Sequence, residues 1–238
     1  MAGQGAARPT LLLTGAAEGL GASIARTFAA AGHDIVGLAR SDRASARLAQ
    51  VVGEQGGAYI PLMCDITQPA DVADALRPHV DHIDIVVHNA HVLLIKPLDD
   101  TSAAEFEQVW RVACLGAFAV SRAVLPHMVS RATGTIILTG ATAGLRGGAK
   151  FAAFASAKFA LRGLAQSLSR EFGPRGIHVA HVVLDGLIDE AQTERRFGPS
   201  NATRMDPDAV ARAYLDLARQ HPSAWTHELD MRPYSERF

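Results

Sequence analysis

The sequence predicts an α/β fold, a doubly wound parallel sheet with helices on both faces, in three αβα layers and a single domain. Three observations carry this. Short aliphatic or β-branched runs alternate with longer helical patterns along 238 residues. Those runs are apolar throughout, as parallel strands covered on both faces should be. A glycine-rich turn joins the first run to the first helical segment, as a βαβ unit requires.

The expected strands are Thr10–Leu13, Asp34–Leu38, Ala58–Met63, Ile83–His88, Thr135–Thr139 and His178–Leu184. The expected helices are Leu20–Ala31, Arg43–Val52, Pro69–Leu76, Ala103–Met128 and Phe151–Phe172. Asp189 to Arg204 breaks the rhythm. It is polar, with Gly198-Pro199 and Asn201 as turn formers, and reads as a lid or loop within a 187–204 substrate cover. Asp206-Pro207-Asp208 then reads as an N-cap, a first-position proline and a first-turn acid, opening a helix to about Gln220. The tail Trp225–Phe238 is expected to add a last strand.

Composition bounds the partners. A formal net charge of -1 leaves no basic excess for a polyanion, so no nucleic acid is expected. No stretch reads as a membrane span, so no membrane is expected. Met1 to Thr10 lacks the apolar core of a signal peptide, and residues 1–9 read as flexible. Two cysteines, Cys64 and Cys114, make no disulfide framework and point to a reducing, cytoplasmic setting.

The first turn is Thr14-Gly15-Ala16-Ala17-Glu18-Gly19-Leu20-Gly21. Its glycines let backbone approach a pyrophosphate, while the helix that follows aims free N–H groups and its positive dipole end at the phosphates. This is a Rossmann-type dinucleotide site. The second strand ends in Ala39-Arg40-Ser41 with no acid to take a ribose 2′-hydroxyl. Arg40, Ser41 and Arg43 suit a 2′-phosphate, whereas the carboxylate of Glu18 opposes one. The balance tips toward NADP, with NAD open. Asp65-Ile66 is placed to meet the adenine, and Asn89-Ala90 to bracket the middle of the cofactor. His88 and His91 flank that pair. No metal site is expected, since neither histidine has an acid or thiol cluster beside it.

With these residues in place, Pro9 to Asp189 resembles a short-chain dehydrogenase/reductase of the classical type. The TGxxxGxG loop is complete in Thr14, Gly15, Gly19 and Gly21. The adenine-site aspartate matches Asp65. The NNAG motif survives at Asn89 and Ala90, the lysine of YxxxK matches Lys158, and the PG after the sixth strand appears as Asp185-Gly186. The resemblance implies a nicotinamide cofactor, a small-molecule substrate, Lys158 on the nicotinamide ribose, and a homodimer or homotetramer built through the two long helices.

The resemblance fails in the catalytic set. The tyrosine position is Phe154, the serine position Ala141 and the asparagine position Ala113. Gly116, Gly144 and Lys158 fix the register independently, so the three losses are not an alignment slip. Phenylalanine has no proton to give, and alanine no hydroxyl to orient a carbonyl. The catalytic candidates that remain are Lys158, Thr142 and Asp185. Thr139, Lys150, His91 and Asp189 also lie near the expected cleft. Three functions stay open: an oxidoreductase with an altered site, a non-redox lyase or isomerase on the same fold, and a silent cofactor-binding partner.

Overall fold

The computed structural model describes residues 8–201 and 203–235, so expectations on 1–7, 202 and 236–238 lie outside the described residues. The order is β1 (Thr10–Thr14), α1 (Leu20–Ala30), β2 (Asp34–Ala39), α2 (Ser45–Gly53), β3 (Tyr59–Met63), α3 (Pro69–Leu76) and β4 (Ile83–His88). There follow α4 (Ala103–Trp110), α5 (Gly116–Arg131), β5 (Gly134–Thr139), α6 (Ala152–Phe172) and β6 (Ile177–Leu184). The chain ends in α7 (Ala191–Phe197), α8 (Pro207–Ala218) and β7 (Glu228–Met231). All seven strands run parallel in the order β3-β2-β1-β4-β5-β6-β7.

Alternation of side chains across each strand explains the apolar runs. Leu12, Val86 and Ile136 face α3, α5 and α6, while Leu11, Leu13, Val87 and Ile137 face α1, α2 and α8. Both faces are dry, so neither set of positions tolerates polarity. The edge strand β3 departs from this. Ile60 and Met63 are exposed, and Pro61, which has no N–H to donate, is tolerated there because one side of the strand is unpaired. After β3 the chain returns to the other side of β1. This leaves a crevice between the carboxyl ends of β1 and β4, where open α/β sheets bind ligands.

Four expectations need correction. The helix expected over Ala103–Met128 is α4 and α5 joined by a π turn at Arg111–Leu115. That same stretch, Ala103–Arg131, is long and apolar enough to cross a membrane, with a mean hydropathy of 1.6 over its best window. Since 56% of that window is buried inside the protein, it has the packing of a core helix. The polar segment expected as irregular holds the short helix α7, because its Gly198 sits at φ +86 just where the helix stops. The helix expected from Arg43 starts two residues later, at Ser45. The Asp206 cap is present: its carboxylate accepts from the Asp208 N–H at 2.9 Å. Arg8 pairs with Asp34 at 3.2 Å, tying the segment before β1 to β2.

The last strand is held by one carboxylate. Glu228 accepts two hydrogen bonds from Arg162 of α6, both 2.7 Å, and a third from His181 Nδ1 of β6 at 3.0 Å. His181 is fully buried and its Nε2 has no partner among the described residues, where Glu228 is the one side chain its ring bonds. Glu228→Ala is therefore expected to cost about 2–3 kcal/mol, read as a Tm lowered by roughly 5–10 °C. Glu228→Gln, which keeps an acceptor, should lose less.

Candidate active site

A cavity of about 1430 Å³ runs from the turn after β2, across the β1–β4 crevice, to the loop after β5 and the approach to α7. Gly15, Gly19, Leu20, Gly21, Arg40, Ser41, Asp65, Ile66, Asn89, Ala90, Thr142, Lys158 and Asp185 all line it. Sequence reasoning placed thirteen of its fourteen candidates on one surface. The exception is Thr14, which sits behind the loop. Its hydroxyl donates to His88 Nδ1 at 2.9 Å, and the Ala90 N–H lies 3.4 Å from the same oxygen.

The loop is shaped by close backbone approach. Gly15 has φ +68, and a Cβ there would lie 2.9 Å from the Ala90 nitrogen. Gly19 has φ +74, and a Cβ there would lie 1.9 Å from the Glu190 carboxylate. Larger residues at either place are both strained and obstructed. Glu190 itself reaches across from the start of α7, and its Oε2 accepts from the Leu20 N–H at 3.2 Å. Burial pushes its carboxyl pKa up, and the bond from Leu20 opposes that. A carboxyl group of the chain thus occupies the amino end of α1.

At the far end of the crevice, Arg40 and Arg43 are exposed and make no ion pair with a described carboxylate. Asp65 Oδ1 accepts from the Thr67 N–H at 3.0 Å, a turn contact that fixes its carboxylate on the cavity wall. Asn89 is buried, and its Oδ1 has no partner among the described residues. A buried acceptor left unpaired is costly unless a ligand or water completes it.

The other half of the cavity is built on α6. Lys158 is buried and donates from Nζ to the Thr139 carbonyl at 2.8 Å. Burial lowers its pKa to about 7. The Phe154 ring centroid lies 5.6 Å from Nζ, and Phe151 packs 6.4 Å from Phe154. With Ala113, Ala143 and Ala153 these form an apolar pocket floor. Thr142 donates its hydroxyl to Asp185 Oδ1, and Asp185 pairs with Arg232 at 3.5 Å. His91 edges onto Phe154 with centroids 6.4 Å apart, and its Nδ1 lies 3.2 Å from the Asn89 carbonyl.

Some named residues lie elsewhere. Lys150 is exposed, off the cavity, and its carbonyl accepts from the Lys96 N–H. His178 stacks on Trp225 with centroids 5.0 Å apart. Asp189 lines the mouth but is engaged by Ser200 and Arg204. No group of metal-ligating side chains occurs among the described residues. Sequence reasoning missed Glu190 and Arg232. Both come from segments whose polarity reads as solvated loop, and only the fold brings them to the crevice.

Comparison with known proteins follows this geometry. The short chain dehydrogenase family model matches residues 9–197. The 3-oxoacyl-[acyl-carrier-protein] reductase of Salmonella typhimurium is 34% identical over 189 residues, covering 76% of this chain and 74% of that one. A short-chain dehydrogenase from Rhodopseudomonas palustris superposes with a TM-score of 0.82 at 36% identity, over 95% of this chain and 99% of that one. A metagenomic short-chain oxidoreductase, solved in complex with NADP, superposes with a TM-score of 0.83 at 25% identity, over 96% and 98%. The chain belongs to the short-chain dehydrogenase family, and is an oxidoreductase of the nicotinamide-dependent kind.

His88 gives the site an acid limit. Its Nε2–H donates to the Ala113 carbonyl at 3.1 Å, so Nδ1 is the acceptor for Thr14. Burial, then the charge of Lys158, lowers its pKa to about 3. The unfolded chain binds this proton from about pH 6.5 downward while the folded chain does not, so stability falls with pH across that window, by about 1.4 kcal/mol per unit. Thermal unfolding from pH 7 to 4 should show a shallower decline for His88→Gln than for the parent. Parallel curves would remove His88 as the cause.

Proposed function

We propose that the protein transfers a hydride between NADP or NAD and a small organic substrate, in a site that lacks the usual serine and tyrosine. The observation that supports this most is the buried Asn89 Oδ1, unpaired among the described residues, on a residue that lines the same crevice as the glycine turn. A dinucleotide fits these residues. The amino end of α1 would take the pyrophosphate, Asp65 and Ile66 the adenine, Asn89 and Ala90 the central region, and Lys158 the nicotinamide ribose. The cofactor supplies the hydride acceptor or donor when bound. The chain's own work is to hold it against the Phe154 floor and exclude water there.

Arg40, Ser41 and Arg43 support NADP. They cluster where the ribose 2′-phosphate would lie, and the two arginines have no carboxylate partner among the described residues. Thr142 and Asp185 are the candidate substrate contacts. The segment 187–204 would cover the substrate, with Phe197 on its wall. A homodimer or homotetramer through the long helices is supported by Phe118 and Phe159, which stay 41% and 45% exposed on α5 and α6. The free thiols Cys64 and Cys114 fit a cytoplasmic setting.

Titrating NADPH and NADH separately by fluorescence tests the reading. Arg40→Ala should weaken NADPH by about 10- to 100-fold and NADH by less than about twofold. Equal losses would remove Arg40 as a phosphate reader, and no binding of either cofactor by the parent would sink the proposal. Glu190→Gln removes a carboxylate from the pyrophosphate seat, so both cofactors should bind it several-fold more tightly. Unchanged or weaker binding would show that Glu190 does not compete there. Tight binding with no turnover of carbonyls, imines, alkenes or alcohols would favour a silent partner. Conversion without net cofactor change would favour a lyase or isomerase.

A further inference from the structure

We infer that His91 is the base that takes the substrate's proton, and that the site is built to oxidise a hydroxyl group. This rests on the oxidoreductase reading above and deepens it. The first support is position. His91 follows Asn89-Ala90 at the carboxyl end of β4 and lines the cavity. Its ring lies against Phe154, where the family's tyrosine would stand.

The second support is the tautomer. The Asn89 carbonyl can only accept, so His91 Nδ1 carries the hydrogen. Nε2 is then a bare lone pair, and no described group bonds to it. The groups around it agree. Lys158 faces it from α6 and His88 from β4, and the Thr142–Asp185–Arg232 chain lies across the cleft. His91 is exposed on the cavity wall, and the Lys158 charge disfavours a proton on its ring. Thr142 has already committed its hydrogen to Asp185 and offers the cleft only lone pairs. Both residues line the one cavity, and acceptors there suit the hydroxyl of an alcohol.

The substrate O–H bond breaks and its proton passes to His91 Nε2. The C–H bond on the same carbon breaks and its electron pair leaves as hydride for the oxidised nicotinamide. The C–O bond becomes a carbonyl, and the imidazolium returns its proton to solvent through the cleft. When protonated, Lys158 favours both the alkoxide and the proton's departure from His91.

Two measurements test this. In the first, NMR of histidine-labelled protein without cofactor, with His91 assigned by its loss in His91→Gln, should show the Nδ1–H tautomer, neutral at pH 6. An Nε2–H tautomer or a charged ring at pH 7 overturns the inference. In the second, the parent is given NADP+ or NAD+ with a panel of secondary alcohols, and NADPH or NADH with the matching ketones. With oxidised cofactor in excess, alcohol oxidation should be measurable at pH 7. His91→Gln should lose at least about 100-fold in kcat with cofactor Kd unchanged within twofold, and Phe154→Tyr added to it should restore activity. Ketone reduction by a parent that oxidises no alcohol, or a His91→Gln enzyme within threefold of the parent, overturns the His91 assignment and leaves the oxidoreductase reading standing. A parent that binds cofactor and turns over neither panel overturns both.

Discussion

A short buried chain of hydrogen bonds holds this site open. It runs from the Thr14 hydroxyl to His88 Nδ1, and from His88 Nε2–H to the Ala113 carbonyl. Three elements meet there: the end of β1, the end of β4 and the π turn between α4 and α5. The carbonyl of Ala113 is available because a π turn leaves its backbone out of step with the regular helix. The ring can serve as donor and acceptor at once only while neutral, and full burial keeps it so. The Asn89 nitrogen bonds the Thr14 carbonyl at 3.3 Å, so the residues that follow are aimed from the same anchor. Asn89, Ala90 and His91 depend on it for their place on the crevice wall.

Much of this was legible in the sequence, for a physical reason. A parallel sheet covered on both faces demands apolar runs, and a backbone turn against a phosphate demands glycine. Both are local demands that leave local signatures. Six of the seven strands and the α1 turn could therefore be read directly. The misses share a cause as well. The π turn depends on how Ala113 packs beneath His88, and nothing in Arg111–Leu115 announces it. Thr14 has the residue type of a ligand contact, but its hydroxyl is spent on His88. Glu190 and Arg232 arrive from segments separated from the glycine turn by most of the chain. Their polarity is the same whether they face solvent or the crevice.

The apolar residues Phe154, Ala141 and Ala113 are more coherent in three dimensions than along the chain. Phe154, Ala113, Ala143 and Ala153 pack as one apolar cluster under the reaction space. Lys158, buried beside it, has a pKa near 7 and so does not hold a fixed charge at neutral pH. Desolvation on this floor penalises every added charge. A tyrosine beside Lys158 would be pushed toward phenolate by the ammonium. A phenylalanine in its place leaves the ammonium over an aromatic face, at 5.6 Å.

The position of Glu190 ties the glycine turn to the far wall of the cavity. Its carboxyl group rests on the amino end of α1, and it is also the N-cap residue of α7, which carries Phe197 and the Arg196 bond to the Leu93 carbonyl. An anion seated at α1 competes with that carboxyl group for the Leu20 N–H. One short segment therefore touches the glycine turn through Glu190 and the loop after His91 through Arg196. The loop after β6 that leads into it is fixed: the Asp185 N–H donates to the Met231 carbonyl at 2.8 Å, and Arg232 pairs with the Asp185 carboxylate.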